Sequence, residues 1–107
     1  MQRFGQVIGV EPDRIDEYER LHTAVWPDVQ ATIRACNMRN YSIFRHEQML
    51  FAYVEYVGDD FDADMARMAA DPTTKEWWAV TEPLQEPVVD RPPGAWWAPL
   101  KEVFHTD

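Results

Sequence analysis

Tyr18 and His22, four residues apart, are the side chains of this sequence best placed to do chemistry. On a helix, residues at i and i+4 lie one above the other on the same face. A tyrosine hydroxyl both donates and accepts hydrogen bonds, and a histidine carries a proton near neutrality because its unperturbed pKa is about 6.5. An isolated histidine on an apolar stripe is ordinarily a hydrogen-bonded core residue. Three features tip this one towards a pocket. Tyr18 sets a second polar tip beside it. Trp26-Pro27 follows at once and ends the helix, leaving that end open rather than plugged. Trp77-Trp78 supplies a further aromatic surface from another helix. Ring faces that stack on C–H surfaces, next to hydroxyl partners, are the make-up of a sugar site. On residues alone this is a candidate small-molecule pocket.

Other chemistries find less support. None of the four glycines (Gly5, Gly9, Gly58, Gly94) forms a phosphate-cradling G-x-G-x-x-G loop. Three histidines and one cysteine are too scattered for a zinc site, and no G-x-S-x-G nucleophile elbow is present. No metal and no cofactor is therefore expected. Cys36 falls on the inward side of a helix and reads as structural. His46 and His105 are expected at the surface. The acidic run Asp59 to Asp64 lacks the central glycine and distal glutamate of a calcium loop and reads as a helix cap followed by a solvated face.

The elements that position these residues follow from pattern. Residues 3–10 alternate as a strand, with Phe4, Ile8 and Val10 on one face. Pro12 with adjacent acids opens a helix, whose Ile15, Tyr18, His22 and Val25 cover an arc of about 80°. Pro27 opens a second helix with Val29, Ile33 and Cys36 inward. Runs 40–46 and 49–57 are two strands joined through Glu47-Gln48. Asp59 or Asp60 caps a helix carrying Phe61, Met65, Met68 and Ala69. Asp71-Pro72 starts another helix, which ends before Pro83. Five of the eight prolines lie in 83–99, an irregular stretch. Its Trp96-Trp97 is assigned to dimer packing. Leu100 to His105 reads as the last strand.

The order is βαββαβ, an α+β, ferredoxin-like fold in a single domain spanning 1–107. Its helices cover one face of a four-stranded antiparallel sheet. The strands are apolar on both faces, so the other face calls for a second copy of the chain, and a homodimer is predicted.

With 107 residues, the chain is long enough for one real core without staples. Five Trp, four Tyr and five Phe make it aromatic-rich. A net charge of -9 argues against nucleic acid and anionic membrane surfaces as partners. One cysteine rules out an internal disulfide and suits a reducing compartment. No run approaches a membrane span and no signal-peptide h-region is visible, so a cytoplasmic location is expected.

The segment Glu17 to His22 with Trp26-Pro27 resembles the Y-x-x-x-H-x-x-x-W-P motif of the L-rhamnose mutarotase family. Asn40-Tyr41-Ser42-Ile43, Leu50 to Glu55, Lys75-Glu76-Trp77-Trp78 and Leu100 to Phe104 resemble further blocks of it, in family order. The resemblance covers the chain except 58–70 and 86–99. It implies a dimeric α+β barrel of ferredoxin-like units that interconverts the α and β anomers of a 6-deoxyhexopyranose without cofactor. Carried over by position, it makes His22 the proton donor and gives Tyr18, Tyr41, Trp77 and Trp78 contacts to the sugar. Residues 86–97 depart from the family's Asn-Pro-Asp-Asn-like stretch, which puts the preferred sugar in question. The group taking the anomeric proton is a tyrosine, a carboxylate such as Glu55, or water. Rival readings are a cofactor-independent monooxygenase or haem-degrading enzyme of the same barrel type, a sugar-binding module, and a dimer scaffold.

Overall fold

The N-terminal alternation becomes β1 (Gln2–Val10) in the computed structural model, which describes residues 1–107. A 3-10 turn at Pro12–Arg14 leads into α1 (Ile15–His22), and Pro27 opens α2 (Pro27–Ala35). Trp26 between them is extended, at φ -56° and ψ 131°, as a residue preceding proline must be. The hairpin is β2 (Met38–His46) and β3 (Met49–Tyr56). Next come α3 (Phe61–Ala70) and α4 (Pro72–Thr81). Both helices start as their sequences dictate. The Asp60 carboxylate accepts from the Ala63 N–H, and that of Asp71 from the Thr74 N–H and hydroxyl, filling donors a helix start leaves open.

The strands form one antiparallel sheet in the order β2-β3-β1, with the free edge of β1 taken by two short pieces. These are β4 (Gln85–Glu86), opposite Gly9 and Val10, and β5 (Ala98–Leu100), opposite Gly5 to Val7. The ferredoxin-like order is present, with its fourth strand split and residues 87–97 looped out. At Gly9 the approach is so close that an added Cβ would lie 2.6 Å from the Glu86 carbonyl oxygen.

The last strand differs from its predicted span of 100–105. It occupies 98–100, and residues 101–107 belong to no element, with Val103 87% and Phe104 78% exposed. Leu100 opposes Gly5, and Gln2 to Phe4 at the start of β1 take no backbone partner from this segment. The Arg3–Glu102 ion pair, 3.1 Å, is all that continues the alignment.

Ile8, Val10, Leu50, Ala52, Val54 and Tyr56 line the helix-covered face of the sheet and are buried. Two clusters fill the layer between sheet and helices. Ile8, Val10, Tyr18, Leu50 and Leu84 form one, and Cys36, Met38, Val54 and Met68 the other. Trp97 packs against the first cluster, and the Trp96 indole N–H donates to Gln85. Both tryptophans assigned to dimer packing thus find partners in their own chain. The acidic run is also more than a solvated face. Asp64, not Ala69, turns inward, because its carboxylate accepts from the Tyr56 hydroxyl at 2.6 Å and from Asn37 at 2.9 Å. On the opposite sheet face Phe44, Phe51 and Leu100 stand open at 64%, 38% and 46%.

Candidate active site

His22 ends α1 and is held by its own helix. Its Nδ1 lies 2.8 Å from the Tyr18 carbonyl oxygen. A carbonyl only accepts, so Nδ1 carries the hydrogen and Nε2 is left with its lone pair free. The imidazole stacks on the Tyr18 ring at 4.2 Å and meets the edge of Trp77 at 5.4 Å. Trp77 in turn packs edge-on against Trp26 at 5.1 Å. The Trp26-Pro27 corner thus supplies an aromatic wall, a role the sequence reading gave only to Trp77-Trp78.

Desolvation among these rings lowers the His22 pKa below its ordinary 6.5, offset in part by the bond to the Tyr18 carbonyl. The neutral ring therefore prevails at neutral pH, with Nε2 as an acceptor. Desolvation raises the Tyr18 phenol, and a hydrogen bond from Gln85 opposes that rise, so Tyr18 stays protonated.

An open cleft of about 360 Å³ lies against this pair, lined by Tyr18, Glu19, His22, Thr23, Ile43, Arg45 and Leu50. The Arg45 guanidinium is fixed on one side by the Glu19 carboxylate and on another by the Glu47 carbonyl at 2.9 Å. Glu47 adopts φ 51° in the hairpin turn, which aims that carbonyl back at Arg45. A larger hollow of about 430 Å³ is formed by the 89–96 loop alone and holds no acid or base pair.

Tyr41 reaches the helix side of the sheet through a β-bulge. Asn40 and Tyr41 together oppose Val54, and Asn40 takes φ 50° to allow it. Tyr41 is 36% exposed overall, yet desolvation of its hydroxyl and the nearby Tyr18 push its pKa up to about 12.

Trp78 is one residue, hence about 100°, around α4 from Trp77. It packs half-buried against the cluster of Cys36, Met38, Val54 and Met68. The structure thus brings Tyr18, His22 and Trp77 into contact, sets Tyr41 beside Tyr18, and turns Trp78 to the neighbouring core. Glu55 lies on the other sheet face, accepting from Tyr53 and Asn40 at 2.7 Å each, away from the cleft. It is removed as the partner base.

Sequence reasoning missed Trp26 as a wall, the Glu19–Arg45 pair and Gln85. Trp26 could have been found from its place beside Pro27. Arg45 and Gln85 sit in a strand and a proline-rich stretch with no local signal.

A family model described as L-rhamnose mutarotase matches residues 3–106. The L-rhamnose mutarotase of Oceanobacillus iheyensis is 34% identical, and that of Opitutus terrae 37%, each over the full length of both chains. Among solved structures, an L-rhamnose mutarotase from Formosa agariphila superposes with a TM-score of 0.78 at 22% identity, covering all of both chains. Tetracenomycin F2 cyclase from Streptomyces glaucescens superposes at 0.69 with 15% identity, over 99% of this chain and 96% of that one. At these identities the two structural likenesses concern the fold alone.

Proposed function

We propose that this chain, which belongs to the L-rhamnose mutarotase family, interconverts the α and β anomers of L-rhamnose or a related 6-deoxyhexopyranose. The observation that carries the reading is the free Nε2 of His22, a residue that lines the cleft and meets the edge of Trp77. Ring opening takes a proton from the hydroxyl on C1 and gives one to the ring oxygen as the C1–O5 bond breaks. Rotation about C1–C2 turns the aldehyde over, and O5 re-adds to its other face. The two oxygens share C1, so one nitrogen serves both. Neutral His22 takes the anomeric proton at Nε2 and, now protonated, is the donor to the ring oxygen. Tyr18 and Tyr41 hydrogen-bond sugar hydroxyls, the Trp77 ring stacks on the C–H face, and the exposed part of Trp78 borders the same sugar.

Proton NMR saturation transfer between the anomeric signals of L-rhamnose, L-fucose and other 6-deoxyhexoses tests the proposal. Wild type is expected to accelerate exchange for L-rhamnose. His22→Ala should lose roughly 10²- to 10⁴-fold while keeping its fold, the usual contribution of a positioned acid–base group. No acceleration with any sugar would end this reading.

The working unit is a single domain in a homodimer, with the open sheet face as its interface. Support comes from Phe44, Phe51 and Leu100, which stand exposed where monomers rarely leave a large apolar patch. Light scattering should give twice the monomer mass for wild type and the monomer mass for Phe51→Lys. A monomeric wild type would remove the dimer from the account. No helix is long and apolar enough to cross a membrane, and the lone, buried Cys36 suits a reducing compartment such as the cytoplasm.

A further inference from the structure

A tyrosine hydroxyl between two competing partners can either receive or give its hydrogen bond, and at Tyr18 the choice is made from Trp96, eleven residues along the chain from the Gln85 that it contacts. The chain of contacts begins at Trp96, whose indole N–H can only donate. It lies 2.7 Å from Gln85 Oε1. This fixes the amide the one way round, so that Gln85 Nε2, a donor only, faces the Tyr18 oxygen at 3.3 Å. Tyr18 therefore accepts from Gln85, and its own hydrogen has no protein acceptor. All of this happens in a dry setting, with Gln85 8% and Tyr18 4% exposed.

The loop that carries Trp96 is itself held in shape. Arg91 donates to the carbonyls of Val88 and Ala95, both at 2.8 Å, and the Ala95 N–H donates to the Pro92 carbonyl. The excursion between the two halves of the fourth strand is thus an internally hydrogen-bonded arm that delivers an indole to a buried amide.

We infer that Gln85, oriented by Trp96, is a positioning residue that keeps the Tyr18 hydroxyl an acceptor towards the protein and a donor towards the sugar in the cleft. The inference rests on the mutarotase reading above and names how residues 86–97 act on the site, through the contact of Trp96 with Gln85. With the amide reversed, Gln85 would offer an oxygen, and the Tyr18 hydrogen would turn into the protein, away from substrate.

Two variants separate orientation from packing. Trp96→Phe leaves the amide free to reverse, and Gln85→Leu removes the amide without creating a competitor for the Tyr18 hydrogen. Measured by saturation transfer with L-rhamnose, Trp96→Phe is expected to lower kcat/KM roughly 3- to 10-fold, the worth of one neutral hydrogen bond. Gln85→Leu should lose less. In a Tyr18→Phe background Trp96→Phe should have no further effect. An equal loss in both backgrounds, or a larger loss for Gln85→Leu than for Trp96→Phe, would assign both residues to packing and overturn the inference. The Gln85 side-chain NH2 signals, read by ¹⁵N NMR, report the same bond without catalysis. They should shift in Tyr18→Phe, and unmoved signals overturn the inference. If wild type exchanges no sugar, the mutarotase reading fails while these signals still decide how Gln85 is oriented.

Discussion

Two buried tyrosines on the helix side of the sheet illustrate how this fold separates stability from function. Tyr56 is satisfied on both counts: its hydroxyl donates to Asp64 at 2.6 Å and accepts from the Asp60 N–H at 3.0 Å. Desolvation and the neighbouring carboxylate push its pKa up to about 12. Tyr18, just as deeply placed, accepts from Gln85 and stacks on His22, but its hydrogen has no acceptor in the chain. Buried polar groups in folded proteins are almost always paired. A spare donor facing a cleft is therefore a place for a ligand, whereas a closed network such as Tyr56–Asp64–Asn37 ties α3 to the sheet and the β2 start.

The difference gives its predictions in order of size. The largest belongs to His22, the residue beside the unsatisfied tyrosine. His22→Ala should abolish nearly all acceleration of anomer exchange, with a melting curve close to that of wild type. Next come the two tyrosines themselves. Tyr18→Phe should lower exchange roughly 3- to 10-fold, as expected for one lost hydrogen bond, with little change in Tm. Tyr56→Phe should do the reverse, lowering Tm by roughly 5 °C through the lost bond to Asp64 and an Asp60 N–H left without its acceptor, and leaving exchange per folded molecule intact. If the two variants behaved alike, the separation would break.

The smallest effect concerns acid. Hydrogen bonds from Tyr56 and then Asn37 hold the Asp64 carboxyl below its ordinary 3.8. A depressed carboxylate contributes stability that is complete above its unfolded pKa and lost as pH falls through the folded one. Wild type should therefore exceed Asp64→Asn in urea midpoint near neutrality, and the gap should close below about pH 3.8. A gap independent of pH would remove the carboxylate's charge from the account.

The same contrast explains what was legible in the sequence. Local chemistry read well. Asp60 and Asp71 cap their helices, Pro27 opens one, and the four-residue spacing of Tyr18 and His22 puts their rings in contact, because each is decided within a helical turn. Features that depend on register did not. The bulge aiming Tyr41 inward exists only relative to β3, and the last strand ends opposite Gly5 although β1 runs on to Gln2. Trp77 and Trp78 are equivalent in sequence, and only the docking of α4 decides that Trp77 meets His22. The Gln85–Trp96 contact spans a loop whose path no periodicity describes.

The central claim is that neutral His22, through Nε2, takes the anomeric proton before giving it to the ring oxygen. The most direct test is the rate of L-rhamnose anomer exchange by wild type from pH 5 to 8, corrected for the uncatalysed rate, as set by the histidine's range. Because burial lowers the His22 pKa, the rate should hold level at neutral pH and fall in acid with a midpoint below 6.5, as Nε2 becomes protonated. A rate that instead rises as pH falls through that midpoint would mean that the resting enzyme needs a protonated histidine, and would contradict the account.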